Sequence, residues 1–246
     1  MGADPNDGRR VVVLKFKIDP AVFETFPGLV IGIVSAKGVD NHGDCPEILE
    51  KIKKIQGEIR NDFDVETLAS CSKIQNWRKA YAAFGAKPKK HRSSVESLYR
   101  MTLERKDLRP INKLVDIYNC VSLMHMVPVG GDDLAQVDGD IELRFARGNE
   151  PFFPLGSDEA QTAREGEVIY ADDREVLCRR WNWRESEKTK MTEETRDVLL
   201  VCEGLPPVTA EIIKQIIMDL SRLVQDYCGG AIEIGVLGGT NGELEL

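Results

Sequence analysis

The stretch "DLRPINKLVDIYNCVSLMHMVPVGGDDLAQVDGDIELRFAR", Asp107 to Arg147, is where the chain changes its period. Pro110 breaks whatever precedes it, and Asn112 is placed to cap a helix through "KLVDIYNCVSLMHM", in which Leu114, Ile117, Val121 and Met124 form one apolar stripe. After "PVGGDD" the spacing shifts to short alternating runs, beginning with "DIELRFA". Helical pattern dominates before this point and strand pattern after it. Elements grouped in blocks, without single alternation, imply an α+β fold.

Working outward, residues 10–18 ("RVVVLKFKI") and 28–36 ("GLVIGIVSA") read as two strands, an opening hairpin or pair. In "PEILEKIKKIQGEI" the spacing of Ile48, Ile52, Ile55 and Ile59 predicts a helix, and Pro46 suits its first turn. A second helix is expected over about 65–83. "GAKPKKHRSS" is a loop by its Gly and Pro, and Ser93 or Ser94 can cap a helix through "VESLYRMTLER". Downstream, "EVIYADDREVLC" reads as two strands around a polar turn, where Asp172 and Asp173 suit backbone hydrogen bonding better than paired acid–base chemistry. "RDVLLVC" is another strand. The last helix, 209–227, carries Ile212, Ile213, Ile216, Leu220, Leu223 and Val224 on one face and ends at Gly229 and Gly230, and "AIEIGVL" follows as a strand.

The 246 residues, 42% hydrophobic and 30% charged, describe a soluble globular chain long enough to bury a sizeable core. No apolar run approaches the roughly 18 residues of a membrane span, and "MGADPNDGRR" has neither a secretory apolar stretch nor, with Asn6, a myristoylation motif. A cytoplasmic protein with no membrane partner is expected. Six scattered cysteines suggest reduced thiols. "GVLGGTNGE" does not match a dinucleotide fingerprint, and there is no Walker loop, so no cofactor is expected. His42, Asp44 and Cys45 in "NHGDC" lack the further local ligands of a metal site, so no metal is expected either. The net charge of −8 argues against nucleic acid, but the average hides an asymmetry. Between Arg78 and Lys113 stand eleven Lys/Arg against three Asp/Glu, a local +8 that leaves −16 elsewhere. One anion-binding face would produce this, as would a merely solvated loop.

"CRRWNWRESEKTK", Cys178 to Lys190, is the second cationic stretch. If extended, it places Trp181 and Trp183 on one face and Arg180, Asn182 and Arg184 on the other. One side then packs and the other meets anions, or the stretch is a cation-laced sheet edge. Within the helix after Asn112, Asp116 and Asn119 share a face, and an interior Asn amide wants a partner, either ligand or buried backbone. Gly130 and Gly131 permit positive φ and close approach of a ligand, or simply a turn.

At Arg109 to Asn112, Val115, Asp116, Asn119, Pro128, Asp133 and Gly139 to Arg144 the chain resembles the editing domain of the bacterial phenylalanyl-tRNA synthetase beta chain, built from that chain's third and fourth modules. The resemblance continues through "GEVIYADDREVLC" and "TEETRDVLL" and covers residues 90–205; "VGG", "YADD" and "CRRWNWR" look most like free-standing relatives of that domain. It implies one editing-like domain over 1–246, with N-terminal strands and helices to 90, the resembling segment over 90–205, and a C-terminal helix and strand over 206–246. Its core is a mixed, largely antiparallel sheet or sandwich flanked by helices. The modules that activate phenylalanine are absent, so the chain is not expected to aminoacylate.

The resemblance implies a trans-acting hydrolase that clears wrong amino acids from aminoacylated tRNA, with Asn119 matching a pocket asparagine and Tyr118 replacing a threonine. Glu187 matches the glutamate that reads the wrong amino acid's hydroxyl, with Glu185 as the rival in a register one insertion away. The family's pocket histidine corresponds to Gly130. Gly130 and Gly131 then border the reacting ester, which a positioned water can hydrolyse without a protein nucleophile. Lys87, Lys89, Lys90 and Arg92 hold tRNA, with a smaller part for Arg179, Arg180 and Arg184. The alternative is a noncatalytic module that binds RNA or an amino-acid-like ligand.

Overall fold

A computed structural model describes residues 14–239 and 241–246. The chain enters through β1 (Lys15–Ile18), α1 (Pro20–Thr25) and β2 (Val30–Lys37); residues 10–13 of the expected first strand lie outside the described residues. The two strands form neither the expected hairpin nor a pair. Asp19 accepts a hydrogen bond from the Ala21 amide and Pro20 occupies the first helical turn, so α1 starts directly after β1 and carries the chain to a different sheet.

Four longer helices follow. α2 (Pro46–Asp62) buries Ile48, Ile52, Ile55 and Ile59 on the face that their spacing predicts. The helix expected over 65–83 is shorter, α3 (Ser72–Ala83), preceded by a single 3-10 turn at Leu68–Ser70. The Asp64 carboxylate takes the Glu66 amide at 2.8 Å, a local bond that competes with helix propagation. Ser93, one of the two serines considered, caps α4 (Ser94–Leu103). Asn112 caps α5 (Lys113–His125) through the Val115 amide and donates from its own amide to the Met191 carbonyl at 3.0 Å.

The glycine-rich segment after α5, for which the sequence left a ligand approach or a turn open, is a strand, β3 (Val129–Asp133). It is followed by β4 (Ile141–Phe145), β5 (Pro151–Phe152), β6 (Gln161–Thr162), β7 (Val168–Ala171), β8 (Val176–Arg179), β9 (Arg184–Glu185) and β10 (Asp197–Gly204). The chain closes with α6 (Ala210–Cys228), β11 (Ala231–Gly238) and β12 (Glu243–Glu245).

The strands form a six-stranded sheet in the order β12-β1-β4-β7-β8-β9, a four-stranded sheet β11-β2-β10-β3 and a small β5-β6 pair. Every pairing is antiparallel except β1 with β4. The fold is therefore α+β, with mixed, largely antiparallel sheets flanked by helices. α5 packs between α2 and α6, and α6 lies across β2, β10 and β11. One apolar cluster joins both sheets to the helices, from Phe16 in β1 through Ile33 in β2 and Leu200 in β10 to Leu220 in α6. Among the described residues no helix is long and apolar enough to cross a membrane.

Candidate functional site

β3 is an edge strand, paired only with β10, in a register that sets Gly131 opposite Leu200 and Gly130 opposite Val201. Its open side faces β9, the last strand of the other sheet. Between them lies a chamber of about 30 Å³, room for roughly two water molecules at ~10–15 Å³ each. One wall is Gly130, Gly131 and Asp132 of β3 with Val201 and Glu203 of β10. The other is Tyr170 of β7, Cys178 of β8 and Glu185 of β9, and Trp181, Asn182 and Ser94 close the end.

Three carboxylates therefore line one small space, and no Lys or Arg lines it with them. Glu203, 3% exposed, accepts hydrogen bonds from the Tyr170 hydroxyl and the Asn182 amide. Burial nevertheless pushes its carboxyl up to about 7, against the pull of those bonds. Asp132 accepts from the Thr189 hydroxyl at 2.5 Å and is raised to about 6, chiefly by burial and then by the charges of Asp172 and Asp133. Glu185 is held well above the ordinary carboxylate range by burial and by the charges of Asp132 and Glu203. Its one hydrogen-bonding neighbour among the described residues is the weak Cys178 thiol. A Cβ on Gly130 would sit 3.1 Å from Glu185 Oε1. The space that a side chain at position 130 would claim is thus taken by a carboxylate from the facing strand. Neither Gly130 nor Gly131 uses the positive φ that the sequence allows.

The main chain supplies a further donor. Asp133 donates its amide to the Thr189 carbonyl at 3.0 Å, on the side of β3 away from β10. Alternation along the strand directs the Gly131 amide to the same open side.

Residues 180–183 are not extended, which corrects the alternating faces expected for this stretch. Arg180 and Trp181 adopt φ of +50° and +66°, and the chain turns back from β8 into β9. Left-handed backbone costs about 1–2 kcal/mol at each such non-Gly residue, and here it accompanies complete burial of Trp181. That ring meets Trp77 and Phe26 edge-on at 5.0 and 4.8 Å between centroids. Its indole N–H lies near enough to the Glu203 carboxylate to favour the charged form, although it makes no well-formed hydrogen bond among the described residues. Asn182 is held by the Tyr81 hydroxyl at 2.9 Å and the Ser94 amide at 3.2 Å, so α3 and α4 fix the turn. Arg179 and Arg180 are both buried, and both pair with Glu167, at 2.7 and 3.0 Å. Arg180 also lies 4.5 Å over the Trp183 ring. Of the three arginines of this stretch assigned to RNA, only Arg184 is exposed, and it donates to the Leu155 carbonyl.

Gly131 and Glu185 also form the inner wall of a second hollow, a cleft of about 180 Å³ whose apolar sides are Ile111, Val115, Tyr118, Leu155 and Met191. Ile111 is 64% exposed and Leu155 38%. Chamber and cleft thus share two residues, the cleft being the wider of the two. Of the amino-acid-reading residues expected from sequence, Tyr118 lines the cleft and Glu185 lines both spaces. Glu187 lines neither; it binds the Gly156 amide at 2.8 Å and Lys190, beside a separate depression. Asn119 also lines neither. Asp132 and Glu203 went unread in the sequence, although an acid inside the apolar run "DVLLVCEGL" is itself a signal.

On the other side of the 180–183 turn is a groove of about 300 Å³ bordered by Lys87, Lys90, His91, Arg164 and Arg180, with Glu165 and Glu167 among them. Lys87, Lys89 and Lys90 are exposed and make no ion pair among the described residues. Burial, then the charges of Arg180 and Lys90, lower His91 to about 4. Other parts of the basic segment serve the fold: Arg78 and Arg100 bind the fully buried Glu96 at 2.9 and 2.8 Å, with Arg92 at 3.9 Å. Arg164, exposed on the far bank, has no sequence pattern that marks it.

Residues 76–229 match the B3/4 domain family, a span that contains every residue lining the chamber. The phenylalanine–tRNA ligase beta subunit of Shewanella oneidensis is 28% identical over 151 residues, 52% of this chain and 19% of that one. Its counterpart in Vibrio vulnificus (strain YJ016) is 35% identical over 105 residues, 43% of this chain and 13% of that one. The Fusobacterium nucleatum protein of the same name is 29% identical over 132 residues, 54% and 15% respectively. The chain spans less than a fifth of the length of these relatives. An N-terminal fragment of the phenylalanyl-tRNA synthetase beta-subunit from Pyrococcus horikoshii aligns with a TM-score of 0.46 at 16% identity, covering 88% of this chain and 49% of that one.

Proposed function

The chain belongs to the B3/4 domain family, and from that premise we propose that it binds aminoacylated tRNA and hydrolyses the ester of a wrongly attached amino acid, a cytoplasmic role in translation quality control. The observation that carries this reading is the chamber: two buried carboxylates, Asp132 and Glu203, and the half-buried Glu185 face one small space, beside a groove bordered by Lys87, Lys90 and Arg164. In this reading the tRNA backbone runs over Lys87, Lys89, Lys90, Arg92 and Arg164, and the esterified end enters by the cleft. The ester carbonyl accepts from the Gly131 amide, a donor that strengthens as negative charge develops on oxygen. Glu203, near neutrality, is suited to take the proton of the attacking water.

The test is a deacylation screen of the purified chain against tRNAs each charged with a wrong amino acid. Turnover of at least one is expected, and Glu203→Gln should slow it by roughly 10²–10⁴-fold, the usual contribution of a general base. A noncatalytic binding module is the second reading, favoured by Gly130, which leaves no imidazole at the chamber. Tight binding of charged tRNA with no deacylation across the panel would establish that reading instead.

A further inference from the structure

Arg179 and Arg180 share one carboxylate, and only the first is satisfied by it. Arg179 takes both Glu167 oxygens, at 2.7 and 3.2 Å, and reaches the Gln161 side chain at 3.3 Å. Arg180, 6% exposed, meets one of those same oxygens at 3.0 Å and has no other polar partner among the described residues. A guanidinium carries five N–H donors and cannot shed its proton. One buried carboxylate thus faces two buried cations, and the excess charge borders the 300 Å³ groove that Arg180 lines. A buried charge without a full counter-charge is strongly unfavourable, so the groove favours an anion.

The rest of the lining narrows the class of anion. Lys87 and Lys90 come from the loop before α4, Arg164 from the segment between β6 and β7, and Arg180 from the turn after β8. Cations from three chain segments suit a tetrahedral oxyanion, whose acceptor oxygens point in several directions, better than a planar carboxylate. Glu165 also lines the groove, but it is exposed and water screens it. Arg180 is preorganised for the contact, with Glu167 on one side and its guanidinium 4.5 Å over the Trp183 ring. His91 stands in the same lining, and the charges of Arg180, Lys90 and Arg179 add to burial in holding it near 4, against the pull of Glu167. Its imidazole therefore reports any anion that offsets those charges.

We infer that the groove is a discrete phosphate site, in which the Arg180 guanidinium binds the oxyanion and Lys87, Lys90 and Arg164 flank it. Two sources carry that group, a phosphodiester in an RNA strand and a free phosphate. The strand as source rests on the aminoacyl-tRNA reading above; the site itself does not. Arg180 directly precedes Trp181, which closes the chamber, so a phosphate held on Arg180 sets where a strand stands relative to the chamber.

The test is histidine-detected NMR of the full chain, with inorganic phosphate as the first probe, a short single-stranded RNA oligonucleotide as the second, and His91→Gln to identify the signal. At fixed ionic strength, phosphate should shift the His91 signal and raise its pKa, whereas acetate should do neither. Arg180→Gln and Arg164→Gln should each weaken phosphate binding at least roughly tenfold, the scale of one charge-assisted hydrogen bond. Because Arg180 is buried, circular dichroism checks that its variant folds; Arg164, which is exposed, tests the site without touching the core. An unmoved His91 signal, equal binding of acetate and phosphate, or unchanged affinity in Arg164→Gln or in folded Arg180→Gln each overturns the inference. Displacement of phosphate by the oligonucleotide at the same signal assigns the site to a strand. An oligonucleotide that leaves bound phosphate in place overturns the strand as source. Deacylation separates the site from the hydrolase reading. Strand binding on Arg180 without turnover of any charged tRNA sinks the hydrolase reading alone. Turnover whose KM is the same in both variants as in the wild type sinks the phosphate contact to the substrate alone.

Discussion

Glu203 and Asp132 are carboxyls that burial lifts to about 7 and about 6, above the ~4 typical of an unfolded chain. Between those values the folded chain holds more protons than the unfolded one. Their stabilisation is therefore complete below about pH 4 and is lost as pH rises through 6 to 7. For Glu203 the loss is on the order of 3 kcal/mol. Urea unfolding from pH 5 to pH 8 should show the stability of Glu203→Gln falling less steeply than that of the wild type; parallel slopes would mean that Glu203 does not titrate in this window. The adjacent glycines separate two kinds of crowding. A Cβ at Gly130 meets only the tip of Glu185, a side chain that can yield. Gly130→Ala should cost under about 1 kcal/mol of stability while disturbing whatever Glu185 binds. At Gly131 a Cβ would lie 2.3 Å from the Leu199 carbonyl oxygen, so the backbone itself must move. Gly131→Ala should cost roughly 1–3 kcal/mol in the same urea assay. Equal losses at the two positions would contradict this register of β3 on β10.

At the scale of elements, the loop before α4 carries the electrostatic prediction. Lys87, Lys89 and Lys90 stand free, whereas Arg78 and Arg100 are committed to Glu96 and Arg179 and Arg180 to Glu167. Replacing Lys87, Lys89, Lys90 and Arg92 with Ala should flatten the salt dependence of tRNA binding by roughly 0.7–0.9 in log–log slope per lost phosphate contact. An unaltered slope would remove this loop from the interface. Adding Arg164→Ala should flatten it further. The helices α2, α4, α5 and α6 were legible in the sequence because their signals are local: Pro46, Ser93, Asn112 and a terminal Gly229 mark ends, and apolar spacing marks faces. β3 was not, because Gly130 and Gly131 carry no strand propensity and are drawn into the sheet by pairing with a segment about seventy residues later. The 180–183 turn was illegible for a similar reason. Alternation suggested a strand, but burying Trp181 against Trp77 and Phe26 overrode it.

The whole molecule makes the site by bringing two sheets edge to edge. Ser94, Gly131, Tyr170, Glu185 and Glu203 come from five separate elements. No local pattern could announce such a set, which is why the sequence pointed to Glu185 only as a rival to Glu187 and passed over Asp132 and Glu203. The same convergence has an optical consequence. The chain has three tryptophans, and they occupy three different environments. Trp181 is wholly enclosed at the chamber end, Trp77 touches its edge, and Trp183 lies partly exposed under the Arg180 guanidinium. Trp183→Phe therefore leaves a pair whose emission comes from the wall of the site and needs no attached dye. Unfolding should shift that emission to the red in a single step that coincides with loss of helical circular dichroism. Filling the chamber should alter its intensity without shifting it to the red. A ligand that changes the spectrum only in the presence of Trp183 is not in the chamber at all.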